Sequence, residues 1–482
     1  MRNILVLVVI GAALGCSSDD GVGPSGPDRT PTSLTFVVQP SQTEGTMATA
    51  PAPQVAIQDE DGSTISTATG DVTVALAENP NGATLTGTTT VSAVGGIATF
   101  PDLRIDRPGT YRLVATSPGL TQATSEEFRI RLTVRQLSAG LRHTCAITAA
   151  DVTYCWGHND AMQLGYRTAV RYSSVAGVVE LPAGVVLQSL SLGSSHTCGK
   201  STAGSWYCWG AANYGDVTGP TAPRPISLPT GEDFVSVEAD DRFSCGVAAS
   251  GDAYCWGFAG YEGRLGDGTY EDRFTPTRVL APDGVRFRRL SRGFAHTCGI
   301  TVSDALYCWG WSIGPTPAEF TVPDSPALAE VGGGLAYMCA SSAAGTIYCW
   351  GDNMFGQLGN GSVEPNHAPM PIAEPNGQYV QLAVGGEHGC GLTADAMVYC
   401  WGRGGSGQLG NGDPSANSSI PVLVDLPAGV RIVEIAAGGM HTCALSDAGD
   451  VYCWGDNSLG QLGIPELDGA ATYSAIPRLA LQ

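Results

Sequence analysis

Positive charge is scarce in this sequence. Its 482 residues carry 24 Lys and Arg against 45 Asp and Glu, a net charge of −21, and Lys200 is the single lysine. Nucleic-acid binding rests on clustered cations that displace counterions from phosphates, so no nucleic-acid partner is expected. The apolar run at residues 4–14 has eleven residues, too few to cross a bilayer as a helix. No C-x2-C pair occurs anywhere, which removes the usual zinc spacing. Glycine is abundant, at 65 residues, but no glycine-rich phosphate loop leads into a helical pattern. No Ser/His/Asp order and no paired-carboxylate pattern stands out. Catalytic residues, cofactors and metals are therefore not assigned, and the chain reads as a non-enzyme.

What is present is a repeat. Fifteen cysteines occur, and fourteen fall into seven pairs, each with nine intervening residues. The pairs are Cys145 and Cys155, Cys198 and Cys208, Cys245 and Cys255, Cys298 and Cys308, Cys339 and Cys349, Cys390 and Cys400, and Cys443 and Cys453. Successive copies start 41 to 53 residues apart, and a period of this size marks a solenoid or a propeller. In each copy the two cysteines flank a tight turn, such as Ala149-Ala150-Asp151 in the first. That puts them opposite each other on adjacent strands, within bridging distance. Seven disulfides imply an oxidising compartment outside the cytosol, and each loop of about ten residues should contribute roughly 2.5–3 kcal/mol by chain entropy.

The last copy has four strand-like runs, at 421–426 (PVLVDL), 432–438 (IVEIAAG), 441–446 (HTCALS) and 451–455 (VYCWG), separated by Gly, Pro, Asp and Asn. Four short strands per copy make one blade, and seven copies fill a closed ring. The motifs Gly140-Leu141-Arg142-His143-Thr144, Val451-Tyr452-Cys453-Trp454-Gly455 and Gly460-Gln461-Leu462-Gly463 resemble those of the regulator of chromosome condensation repeat family, over about residues 134–482. The resemblance implies an all-β, seven-bladed β-propeller. The chromatin and GTPase roles of the eukaryotic relatives do not suit so acidic a chain with an export leader. Related plant ultraviolet photoreceptors carry tryptophan in a G-W-R-H-T slot. Here that slot is read as Leu141, Ser194, Asp241, Phe294, Leu335, Glu387 and Met440, so photoreception is not implied.

Ring closure is expected to pair the chain ends. The repeat region opens at Val134 with what reads as a second strand, and residues 476–481 (IPRLAL) read as a first strand without partners. Joining both in one blade would remove exposed edges.

Upstream of the ring, Met1-Arg2-Asn3 and the apolar run end in Ala13-Leu14-Gly15-Cys16. This reads as a signal peptide (residues 1–15) and resembles a bacterial lipobox, with Ala13 where leucine is usual. Cys16 is the one cysteine left over from the seven pairs. Acylation there would make the lipid bilayer a partner and place the protein in the bacterial cell envelope. Residues 16–32 form a Pro/Gly-rich linker without core-forming residues. Residues 33–133 hold six or seven alternating strand patterns and no cysteine, which predicts a β-sandwich resembling the immunoglobulin-like modules of bacterial surface proteins. Asp59-Glu60-Asp61 reads as an acidic hairpin turn in preference to a calcium site.

Five of the seven histidines, His143, His196, His296, His388 and His441, share one repeat slot, which Phe243 and Tyr337 fill in the other copies. This substitution pattern fits packing or hydrogen bonding better than a metal ring. The irregular segments after each Y-C-W-G remain as candidates for specificity. Copies five, six and seven keep GQLG, whereas copy two has Tyr214, copy three Phe258 and Tyr261, and shortened copy four Trp311. Aromatics at variable loops suit a protein-binding face, and related secreted propellers that inhibit β-lactamases use such a face. The expected function is binding of an unknown protein partner. The alternatives are an envelope hydrolase or lyase and a glycan or cell-wall adhesion element.

Overall fold

The computed structural model describes residues 29–481 apart from 42, 45–48, 80–81, 167–169, 212–221, 241, 261, 325, 374–377 and 465–471. Cys16 and the leader lie outside the described residues. From Val134 onward, seven four-stranded antiparallel sheets follow one another. The first consists of Val134–Ala139, His143–Thr148, Thr153–His158 and Tyr172–Val178, in that order. The seventh consists of Ile432–Ala437, His441–Ser446, Val451–Asp456 and Tyr473–Leu479. The H-T-C strand is buried along its whole length in the first and last blades, because it is an inner strand with a neighbouring blade on each face.

The blade frame differs from the one expected. The strand following each Y-C-W-G pairs backward with its own copy, as Tyr452 does with Leu479, so each continuous copy builds a whole blade. The first half of the run at 421–426 belongs to the outer strand Ser418–Leu423 of the sixth blade. Among the described residues no strand of the repeat region is left over, and Val134–Ala139 and Tyr473–Leu479 lie in different blades. Closure comes instead from contacts between complete blades. Gly439 N–H donates to Leu141 O at 3.1 Å on the channel wall, Leu137 N–H donates to a Glu434 carboxyl oxygen at 3.3 Å, and Trp156 Nε1 donates to Gln461 O at 3.0 Å. Leu462, Ala480 and Leu481 also share a core with Leu137 and Trp156.

Two glycines show why the repeat needs so many. A Cβ on Gly438 would lie 2.5 Å from Gly140 O across the closing joint. Gly455, in the Trp-Gly of the seventh copy, has φ +100° and would bring a Cβ within 2.5 Å of Met440 O, a backbone region that L side chains rarely adopt.

All seven cysteine pairs are bonded, with Cα atoms 4.0–4.1 Å apart. In the first two blades Cys145 bonds Cys155 and Cys198 bonds Cys208. In the third, fourth and fifth, Cys245 bonds Cys255, Cys298 bonds Cys308 and Cys339 bonds Cys349. In the sixth and seventh, Cys390 bonds Cys400 and Cys443 bonds Cys453. Each bridge joins residues directly opposed on the two inner strands of its blade, a placement that follows from the turn centred between them. The cysteines therefore brace single blades and do not link one blade to the next.

Residues 33–131 form small sheets around a separate core. Ser33–Val38, Gln54–Gln58 and Ile97–Thr99 make one sheet; Asp71–Leu76 lies between Thr90–Ser92 and Leu113–Thr116 in another. Leu34, Phe36, Val55, Val72, Val74, Leu113 and Ile130 are buried together, as their alternating positions predict. The run at 111–115 breaks at Arg112. Gly109–Tyr111 pairs with Phe128–Arg131, while Leu113–Thr116 pairs with Asp71–Leu76. At the acidic turn, an Asp59 carboxyl oxygen accepts from Asp61 N–H at 3.1 Å and from Ser63 N–H at 2.8 Å, so it serves the turn's own backbone. Arg131 pairs with Asp450, and Tyr154 Oη donates to Asp106 O at 3.4 Å, joining the N-terminal region to the first and last blades.

Candidate binding face

The joints between blades share one set of parts, and these decide what the face can offer. At the joint from the seventh to the first blade, Thr144 Oγ1 donates to Gln461 O at 2.9 Å and lies 2.9 Å from His441 Nε2. The hydroxyl has one proton, and the carbonyl takes it. His441 Nε2 must therefore carry hydrogen and donate to the threonine oxygen. The same relay links His143, Thr197 and Gln163, and again His388, Thr442 and Gln408. Burial holds these imidazoles neutral: His143 and His388 titrate at about 3 and His441 at about 4. The histidine slot is thus a hydrogen-bonding position.

The GQLG segment fits the same joint. Its Gln carbonyl also accepts the indole Nε1–H of the next blade, from Trp401 to Gln357 at 3.0 Å, Trp454 to Gln408 at 2.9 Å and Trp156 to Gln461 at 3.0 Å. Gln163 and Arg264 do the same for Trp209 and Trp309. The leucine that follows, Leu164, Leu265, Leu358, Leu409 or Leu462, is fully buried in every case. These five segments are plugs, each filling the cleft between two blades. The segment after Y-C-W-G, expected on an exposed ring face, is here buried at its leucine. Its leucine, kept in copies whose neighbouring positions vary, was the signal for a core role.

Copies with altered slots compensate locally. With Phe243 in the histidine slot, the Arg264 guanidinium stacks 5.0 Å over the ring and donates to Phe294 O at 2.6 Å. With Gly389 in the threonine slot, Tyr337 Oη reaches back to His388 O and to Gly385 O.

The first residue after each Trp-Gly occupies an equivalent place around the ring. The backbone N–H groups of His158, Ala211, Phe258, Trp311, Asp352, Arg403 and Asp456 each donate to the carbonyl of the residue before the histidine slot of the same copy. Two of the predicted aromatics fall in this slot. Trp311 is 53% exposed, with its ring 5.8 Å from that of His296. Phe258 is half-buried, edge-on to Phe274 at 5.8 Å, with the Arg242 guanidinium 5.8 Å from its centroid. Tyr214 and Tyr261 lie outside the described residues. Exposed Phe274 and Phe294 join the same region, Phe274 through the Phe258 ring and Phe294 through Arg264; neither is among the aromatics that the loop pattern predicts. Among the described residues no group of three or more His, Cys, Asp or Glu side chains is placed to hold a metal ion.

A model of the RCC1-like domain family matches residues 215–479, more than half of the chain. The chain belongs to the RCC1-like domain family. The ultraviolet-B receptor UVR8 of Arabidopsis thaliana is 28% identical over 348 residues, covering 68% of this chain and 78% of that protein. Human WBSCR16 superposes with a TM-score of 0.60 at 18% identity, over 73% of this chain and 92% of that one. Prp20p of Saccharomyces cerevisiae does so with a TM-score of 0.60 at 20% identity, over 73% and 87%. Both structures agree with the fold. In this RCC1-like propeller the inter-blade backbone bonds Leu335 N–H to Gly386 O and Gly439 N–H to Leu141 O correct two positions of the photoreceptor slot. Gly386 and Gly439 occupy it, and Glu387 and Met440 stand one residue further on. The slot remains without tryptophan.

Proposed function

We propose that this RCC1-like propeller is the head of an exported, lipid-anchored, non-enzymatic protein that binds a protein partner through the face bearing Phe258 and Trp311. The carrying observation is Trp311, a large exposed aromatic whose backbone N–H is bonded to Ala295 O, in a slot that holds polar or small residues in most copies. Tryptophan contributes strongly to protein interfaces because it offers much area with few rotors. Seven cross-strand disulfides and the leader ending at Cys16 support residence in the bacterial envelope. The shared core of residues 34–130 supports reading the N-terminal region as an immunoglobulin-like spacer. Net charge disfavours nucleic acid.

The test is crosslinking from the native envelope with wild type and a Trp311→Ala/Phe258→Ala variant whose disulfides and melting are unchanged. A partner captured by wild type and lost in the variant supports the reading. Identical capture by both proteins sinks it, and a saturable response to glycans or turnover of an envelope substrate would favour the adhesive or enzymatic alternative.

A further inference from the structure

Among the described residues five joints of the ring are plugged, and the joint between the fourth and fifth blades is not. The fourth copy passes from Leu306–Gly310 to Gly314–Phe320 with three intervening residues, so it has no Gln-Leu-Gly segment to insert. The fifth blade has changed on the facing side. Met338 stands where Thr144, Thr197 and Thr442 stand at the relay joints, leaving His296 no hydroxyl opposite. Trp350 is 4% exposed, and its indole N–H has no hydrogen-bond partner among the described residues, whereas five of its counterparts donate to a plug carbonyl. A cavity of about 280 Å³ lies here, walled by His296, Ile313, Phe320, Met338, Trp350 and His367. Ser312 also lines it, and the preceding residue, Trp311, packs on His296.

We propose that this cavity is a peptide-binding site, and that its ligand is a tight turn of a partner protein presenting a backbone carbonyl followed by an aliphatic side chain, a Gly-x-Leu-Gly-like turn. The molecule itself shows the complementary shape. At every plugged joint the equivalent cleft takes a carbonyl onto the tryptophan Nε1–H and buries a leucine completely. The unplugged joint retains the donor and an apolar wall, with Met338 adding a side chain that adapts to its occupant. The proposal rests on the protein-binding reading above and gives the partner a chemistry. The cleft between the second and third blades adjoins residues outside the described set and is not included.

The experiment titrates the purified disulfide-bonded chain with a head-to-tail cyclised peptide containing Gly-Gln-Leu-Gly, cyclisation reducing the ordering cost, and follows it by calorimetry. Saturable binding is expected. It should weaken about fivefold in Trp350→Phe, which loses one hydrogen bond worth roughly 1 kcal/mol, and vanish when the peptide leucine is replaced by aspartate. Trp256→Phe, at the other joint without a described plug, should leave it unchanged. Absence of binding at millimolar peptide, equal binding of the leucine and aspartate peptides, or dependence on Trp256 instead of Trp350 would each overturn the proposal. None of these outcomes bears on envelope capture by the aromatic face, so the two readings fail separately.

Discussion

His441 and Thr144 are 297 positions apart in sequence, yet the His441 Nε2–H donates to the Thr144 hydroxyl at 2.9 Å and ties the last blade to the first. Because the Thr144 hydroxyl donates its own hydrogen bond to Gln461 O, the ring closes on a buried chain of three groups with each donor used.

Removing the middle member should therefore be costly. Thr144→Val leaves a buried imidazole N–H without an acceptor, a loss of about 2–3 kcal/mol. Thr144→Ser should be nearly neutral, because Ser244 accepts the equivalent contact from His196 at 2.8 Å. Denaturant midpoints of the two variants decide this, and equal stabilities would show the relay to be energetically idle.

The same histidines set a pH dependence. Their folded pKa values, about 3 for His143 and His388 and about 4 for His441, lie below the ordinary 6.5. The unfolded chain thus binds more protons between these limits, and their contribution is complete above pH 6.5 and lost as pH falls toward 3. Each histidine adds a slope of about 1.4 kcal/mol per pH unit inside that window. Glu434 acts oppositely. Burial raises it from 4.5 to about 7, so its contribution is present below 4.5 and lost as pH rises through 7. Glu434→Gln should remove that second loss, since Gln381 makes the equivalent bond to Ile435 N–H at 2.8 Å without ionising. Stability of the variant relative to wild type, followed from pH 5 to pH 8, should rise with pH.

Each disulfide closes a short hairpin with a sequence separation of 10. Replacing Cys298 and Cys308 together by serine should lower stability by about 2–3 kcal/mol through the unfolded state and leave the blade order intact. Equilibrium unfolding under oxidising conditions measures it, with reduced wild type showing the larger combined loss.

Ending the chain before Tyr473 removes the outer strand of the seventh blade, with Ala480 and Leu481 of the closing core, but none of the closing bonds at Gly439 and His441. The ring should stay shut while the strand Val451–Asp456 becomes an exposed edge prone to pairing with another copy. Concentration-dependent association by light scattering, with slow hydrogen exchange retained at Gly439 N–H, is the expected result. Rapid exchange at Gly439 would mean that the outer strand holds the ring closed.

Blade number, disulfide partners and the positions of most strands were legible in the sequence, because each depends on local spacing. A turn centred between two cysteines opposes them, as between Cys245 and Cys255 or Cys390 and Cys400, and period-two burial follows from strand pleating. The blade frame was not legible. A strand in a repeat can pair with the preceding or the following copy at equal sequence distance, and only the side it packs against decides. The histidine slot showed its structural character through Phe243 and Tyr337, yet its partner lay in the neighbouring blade, beyond any local pattern. Sequence determined the repeating unit and its chemistry. Tertiary structure alone decided which copies interlock, and hence that a missing Gln-Leu-Gly in the fourth copy becomes a cavity against Trp350 in the fifth.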